Sequence, residues 1–234
     1  WQRQATTIWW WRGNIYQWAQ QHKVNPNAIA VILQIESCGW PNAGSSAGAQ
    51  GMFQVMPLHF TAGSTIESMR DVETNAQKGV GYYSYMLEQS GDDARRSFAG
   101  YNMGPRALSW DPSTWPAETQ RYVRYAVPIL EDAYEAKEQS ETLREFRELY
   151  GKDLCASAQA WQDAHPEASR SPGGIVDVST NRVFTRSAGK LNIDAPPIGW
   201  LLIIGVFCLG VYYILGWQKT GKRVWKMAMI MVVI

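Results

Sequence analysis

Apolar positions recur at helical spacing through most of the first 150 residues. Ala28, Ile29, Val31, Ile32, Leu33 and Ile35 are apolar with hardly a polar residue between them, which predicts a helix buried on nearly every side. Asn25 and Pro26 precede it as N-cap and first helical residue. Upstream, Ile8, Trp9, Trp10, Trp11, Ile15, Tyr16 and Trp18 predict an aromatic-rich helix within residues 1–23. We expect it to pack on the domain in preference to lying on a membrane surface. Downstream, Thr74–Leu87 and Asp92–Tyr101 predict two further helices, the second with Ala94, Phe98 and Tyr101 facing inward. Glu118–Leu149 predicts a long one, with Tyr122, Val123, Ala126, Ile129, Leu130 and Tyr134 at core spacing. Leu58–Glu73 reads as a polar connector and Trp110–Pro116 as a turn-rich loop. The fold class is mainly α, with a helical domain over residues 24–150.

Past Tyr150 this pattern stops. Residues 151–197 mix Ser, Gly, Pro, Asp and Ala with few large apolar residues, the profile of an irregular linker or small extension. Within it, Ile175–Val178 and Arg182–Phe184 predict a short hairpin. Residues 198–217 then run without a charge, about the length that matches a bilayer's hydrocarbon core, with Trp200, Tyr212, Tyr213 and Trp217 toward the ends. A transmembrane helix is expected here. Lys219, Lys222, Arg223 and Lys226 follow at once, so the positive-inside rule puts the C-terminus in the cytoplasm and the helical domain outside, a single-pass protein of the cytoplasmic (inner) membrane. Residues 218–234 are basic, then apolar, and read either as the start of a second span or as an interfacial tail. The opening at Trp1, with no Met and no signal-peptide pattern, reads as a processed or trimmed start.

Charge and composition narrow the chemistry. Net charge is +1, with 22 Lys+Arg against 21 Asp+Glu, so there is no electrostatic case for nucleic acid. His22, His59 and His165 show no metal-ligand spacing and no nucleophilic triad pattern, so neither metal nor cofactor is expected. Cys38 and Cys155 fall in the extracytoplasmic part and are either bonded to each other or buried singly; Cys208 lies in the apolar run. Glu36 stands out. It is the one carboxylate between Lys23 and Glu67 and closes the buried helix, where desolvation favours the protonated form and makes a general acid.

The residues around Glu36 also carry a resemblance. Glu36-Ser37, Ser45, and Gly48-Ala49-x-Gly51-Met52-x-Gln54-x-Met56-Pro57 resemble the signature of the family 1 lytic transglycosylases, whose SLT domain is related to goose-type lysozyme. Ala99-Gly100-Tyr101-Asn102-Met103-Gly104-Pro105 resembles a second block of that family, with Gly100 and Met103 in place of its usual alanines. Glu118-Thr119-x-x-Tyr122-Val123 resembles a third. Together the blocks span about Asn25 to Leu130. The resemblance implies a lysozyme-like helical fold acting on peptidoglycan glycan strands, with Glu36 as sole acid and base. Ser45, Gln54 and Met56 would line the sugar subsites, Tyr101 and Asn102 would flank the acid, and Tyr122 would hydrogen-bond near it. For Met56 and Tyr122, plain core packing is an equal alternative. The helix with Asn75 and Gly79 is expected to support the cleft from behind. The implied product is a 1,6-anhydro sugar; the rivals are lysozyme-like hydrolysis and a catalytically weak accessory subunit of a larger envelope complex.

Overall fold

The computed structural model describes residues 4–168. Its elements are helical: α1 (Thr6–Trp10), α2 (Arg12–His22), α3 (Pro26–Glu36), α4 (Ile66–Arg70), α5 (Val72–Gln89), α6 (Ala94–Met103), α7 (Ala117–Tyr134), α8 (Glu141–Phe146) and α9 (Lys152–Ala164). Among the described residues the only β pairing is a pair of isolated bridges, Gly44 with Gln50 and Gln50 with Val55.

The central element is α3. The Asn25 side chain accepts from the Asn27 N–H and Pro26 occupies the first turn, so the helix starts where the sequence indicates. Every residue from Ala28 to Gln34 is buried, and α1, α2 and α7 pack around it. Full burial of Ile29, Val31, Ile32 and Leu33 stabilises the fold by roughly 1.5–3 kcal/mol per side chain. The helix ends at Ser37, whose hydroxyl accepts from the Gly39 N–H and donates to the Met52 carbonyl at 2.7 Å. Glu36 therefore sits on a closed helix end, one residue before a fixed point.

The other elements wrap this axis. In α7, Tyr122, Val123, Ala126, Ile129, Leu130 and Ala133 fall on one face and meet α3 and α6. Tyr83 of α5 stacks on Phe98 of α6 with ring centroids 5.4 Å apart. At the N-terminus Trp11 and Trp18 are fully buried, so the aromatic helix packs on the domain as expected. Trp11 Nε1 donates to the Gly39 carbonyl at 2.8 Å, tying this segment to the turn after Glu36.

Several expectations change in detail. The aromatic segment forms two helices, broken at Trp11, where one was expected. The Leu58–Glu73 connector contains a 3-10 turn at Pro57–His59 and the short helix α4, capped by Thr65. The long helix expected over Glu118–Leu149 stops at Tyr134, and the chain resumes at Ser140, which caps α8. The break falls on Glu135–Gln139, a run whose one apolar residue is Ala136, at φ +51°. The largest difference lies past Gly151, where an irregular linker was expected and residues 152–164 form α9. Cys155 and Ala158 of α9 are buried, and Cys155 is disulfide-bonded to Cys38 with Cα atoms 4.9 Å apart. Trp161 of α9 stacks on Trp11 at 5.9 Å, and Gln162 donates to the Thr7 carbonyl. Few large apolar residues therefore suffice here, because a covalent bond and two indoles hold the helix. Among the described residues no helix is long and apolar enough to cross a membrane. The transmembrane helix read at 198–217, the hairpin and the 218–234 tail lie outside the described residues.

Candidate active site

The cleft loop is built by hydrogen bonds to its backbone. Residues 43–55 carry no regular structure, so each backbone group in them needs an individual partner. Asn75, wholly buried on α5, supplies two, accepting from the Phe53 N–H at 2.9 Å and donating to the Gln50 carbonyl at 2.8 Å, and its remaining N–H donates to the Met69 carbonyl of α4, also at 2.8 Å. Gly51 has φ +76° and lies so close to the Asn75 amide that an added Cβ would collide with it. One turn along α5, a Cβ on Gly79 would strike the Phe53 side chain. The expected supporting role of Asn75 and Gly79 is thus a matter of contact: one residue holds the loop backbone and the other makes room for its aromatic ring.

On this loop, Gln54 adopts φ +47° and donates Nε2 to the Gly51 carbonyl at 2.8 Å, which fixes its half-buried amide. Ser45 lies exposed at the loop tip, where its hydroxyl accepts from the Ala49 N–H at 3.0 Å. Met56 is half-buried and leads into the 3-10 turn at Pro57. It therefore occupies neither the deep core nor open solvent.

The opposite wall comes from α6 and α7. Tyr101 donates its hydroxyl to the Phe53 carbonyl at 2.7 Å, joining α6 to the loop. Asn102 accepts from the Thr119 hydroxyl at 2.6 Å, an interaction that orients its amide and leaves Nδ2 to donate elsewhere. Tyr122 has its ring in the core, yet its hydroxyl is buried without a hydrogen bond of good geometry and is directed at Glu36. Packing and placement near the acid thus both hold for this residue.

Glu36 itself is enclosed by protein but keeps part of its surface exposed. Burial pushes its pKa up to about 8 from 4.5, the proximity of the Tyr122 hydroxyl lowers it, and the charge of Glu118 raises it again. Near neutral pH the group is therefore mostly a protonated acid. Tyr101 and Tyr122 are both pushed well above the usual phenol range, first by burial and next by the Glu36 charge, so they remain neutral donors beside it. Glu118, the carboxylate whose charge acts on Glu36, is exposed at the start of α7. Among the described residues no group of three or more His, Cys, Asp or Glu is placed to hold a metal ion. What the arrangement can do is deliver one proton from a desolvated carboxyl and take one back, between neutral hydroxyl and amide donors.

The structure sets Tyr101 and Tyr122 beside Glu36; Tyr101 bonds the Phe53 carbonyl next to Gln54, Asn102 follows Tyr101 on α6, and Ser45 and Met56 flank Gln54 along the chain. Thr119, which aims the Asn102 amide, was not singled out from the sequence as a site residue. Its partner is 17 positions away, and no local pattern encodes that contact.

A helical domain with one desolvated carboxyl beside two neutral tyrosines is the class of molecule in hand, and comparison with known proteins gives it a context. Residues 13–120 match the family model described as the transglycosylase SLT domain. The chain is 32% identical to the soluble lytic murein transglycosylase of Escherichia coli K12 over a stretch covering 36% of this chain and 15% of that protein. It is 29% identical to the transglycosylase of Enterobacteria phage PRD1, over 45% of this chain and 38% of the phage protein. The chain thus spans well under half the length of either relative. Among solved structures, the 70-kDa soluble lytic transglycosylase in complex with bulgecin A aligns over 55% of this chain and 25% of its own, at 24% identity and a TM-score of 0.45.

Proposed function

We propose that this chain is a peptidoglycan lytic transglycosylase that cleaves the β-1,4 bond between N-acetylmuramic acid and N-acetylglucosamine. The observation that carries the reading is the Glu36 carboxyl, held protonated by burial and set between Tyr101 and Tyr122. The SLT match over residues 13–120 and the two transglycosylase relatives support the substrate class. In this reading Glu36 donates its proton to the glycosidic oxygen as the bond to muramoyl C1 breaks. The C6 hydroxyl of the same sugar then closes on C1, and the Glu36 carboxylate takes its proton. Acid and base are one group, no water is consumed, and the product carries a 1,6-anhydro ring. A hydrolase of the two-carboxylate kind needs a second Asp or Glu facing the first across the sugar. Glu118 is exposed and meets Glu36 only as a weak electrostatic neighbour, which favours the single-acid reading.

The same proposal places the domain outside the cytoplasmic membrane, tethered by residues 198–217, where its substrate lies. The Cys38–Cys155 disulfide is consistent with that oxidising side. Assembly into a larger envelope complex belongs to the same proposal and is supported only by the anchor-like sequence.

The deciding experiment incubates the full chain and its Glu36→Gln variant with purified peptidoglycan and analyses released muropeptides by mass spectrometry. Anhydro-muramoyl ends from the parent and none from the variant are expected. Reducing ends would replace the transglycosylase with a lysozyme-type hydrolase. No release by either folded protein would leave the accessory-subunit reading in its place.

A further inference from the structure

A row of aromatic rings leads away from Glu36. Tyr101 lies against the acid, the Tyr82 ring follows with its centroid 5.8 Å from that of Tyr101, and the His59 ring lies 4.8 Å beyond Tyr82. The three come from separate segments: α6, α5 and the 3-10 turn that follows Met56. Tyr82 and His59 are both half-exposed, and Leu58 beside them is 77% exposed. Gly104, at φ +91°, lies next to the Tyr82 hydroxyl, which an added Cβ would approach to 3.9 Å. Partial burial and the neighbouring Lys78 lower the His59 pKa, which favours the uncharged imidazole.

Resting on the glycan reading above, we infer that His59 and Tyr82 form a saccharide-stacking subsite that extends the cleft beyond the sugars flanking Glu36. The C–H face of a pyranose ring covers apolar aromatic surface, while the Tyr82 hydroxyl and the imidazole nitrogens lie at the edge to meet sugar hydroxyl or N-acetyl groups. Neither residue was marked as functional by its sequence context. Their pairing links position 59 to position 82 only through the fold.

The subsite is tested with the full chain carrying Glu36→Gln, so that ligand is bound without being consumed. Its affinity for β-1,4-linked N-acetylglucosamine oligomers, from the disaccharide to the hexasaccharide, is measured by calorimetry. Affinity is expected to rise with length, and adding His59→Ala should remove about fivefold from the longer oligomers while sparing the shortest. His59→Tyr should restore the increment, and Tyr82→Leu should remove it again if the alanine variant folds poorly. Trp9→Ala, on a different surface, should change nothing. Equal affinities for parent and His59→Ala at every length would overturn the subsite alone. A parent that binds none of the oligomers would overturn the glycan reading together with it.

Discussion

At the residue scale the chemistry rests on the ionisation of Glu36. Proton donation needs the neutral carboxyl, so turnover should hold below about pH 8 and fall as pH rises through that value. A pH–rate profile on peptidoglycan that falls instead near 4.5 would show that burial does not govern this acid. The same shift has a consequence for stability. The folded pKa lies above the unfolded value, so the contribution is fully present below about 4.5 and is lost as pH rises toward 8. Glu36→Gln removes that loss. It should raise stability at pH 7 by up to about 3 kcal/mol, read as a higher denaturation midpoint, and bring it level with the parent at pH 4. Tyr122→Phe separates the two roles of its residue. Its hydroxyl is buried without a well-formed partner, so the melting temperature should stay level or rise slightly. Its proximity lowers the Glu36 pKa, so the basic limb of the profile should move to higher pH, with kcat lower by about tenfold.

At the scale of elements, α5 acts as the back wall of the site. Asn75 spends two hydrogen-bonding groups of its amide on the loop and the third on the Met69 carbonyl of α4, and none of these bonds can pass to water, because the residue is wholly buried. Asn75→Ala should therefore cost about 3 kcal/mol and lower activity with it, measured by chemical denaturation and by muropeptide release from the same sample. A variant that lost activity at full stability would place Asn75 in contact with substrate instead. This scale also shows what was legible beforehand. The existence of α3, α5, α6 and α7 could be read because each carries a long apolar stripe, and the Asn25 cap is a local code. The break in the expected 118–149 helix and the presence of α9 were not legible, for related reasons. The break is a short polar run inside a strong pattern, and α9 holds its place by Cys155 and Trp161, whose partners lie more than a hundred positions away. At the site, Glu36 was evident from its isolation among uncharged residues. Ser45, Gln54, Met56, Tyr101, Asn102 and Tyr122 were reached by family resemblance, since nothing in their own spacing marks them. The Thr119–Asn102 and His59–Tyr82 pairs left no trace in the sequence order.

For the whole molecule, the first and last described helices lie together. Thr7 and Trp11 meet Gln162 and Trp161, Arg147 donates to the Gln4 carbonyl, and the disulfide fastens α9 to the turn that follows Glu36. Reducing that bond, or replacing both cysteines by Ser, should cost about 2–5 kcal/mol, seen as a lower melting temperature in the presence of a thiol reductant. Equal melting curves with and without reductant would mean that the indole packing alone holds α9.

The disulfide also sets how the domain would carry a mechanical load. Tension applied between residues 4 and 168 passes along the chain to Cys38, crosses the sulfur bridge and leaves from Cys155. The intervening segment, a sequence separation of 117, lies off that line of force. It holds the cleft loop, α5, α6 and α7, and with them Gln54, Tyr82, Tyr101, Asn102 and Tyr122. A domain pulled taut at both ends would thus keep these walls unstretched, with the tension falling on α1 to α3, the short reach from Glu36 to Cys38, and the part of α9 beyond Cys155.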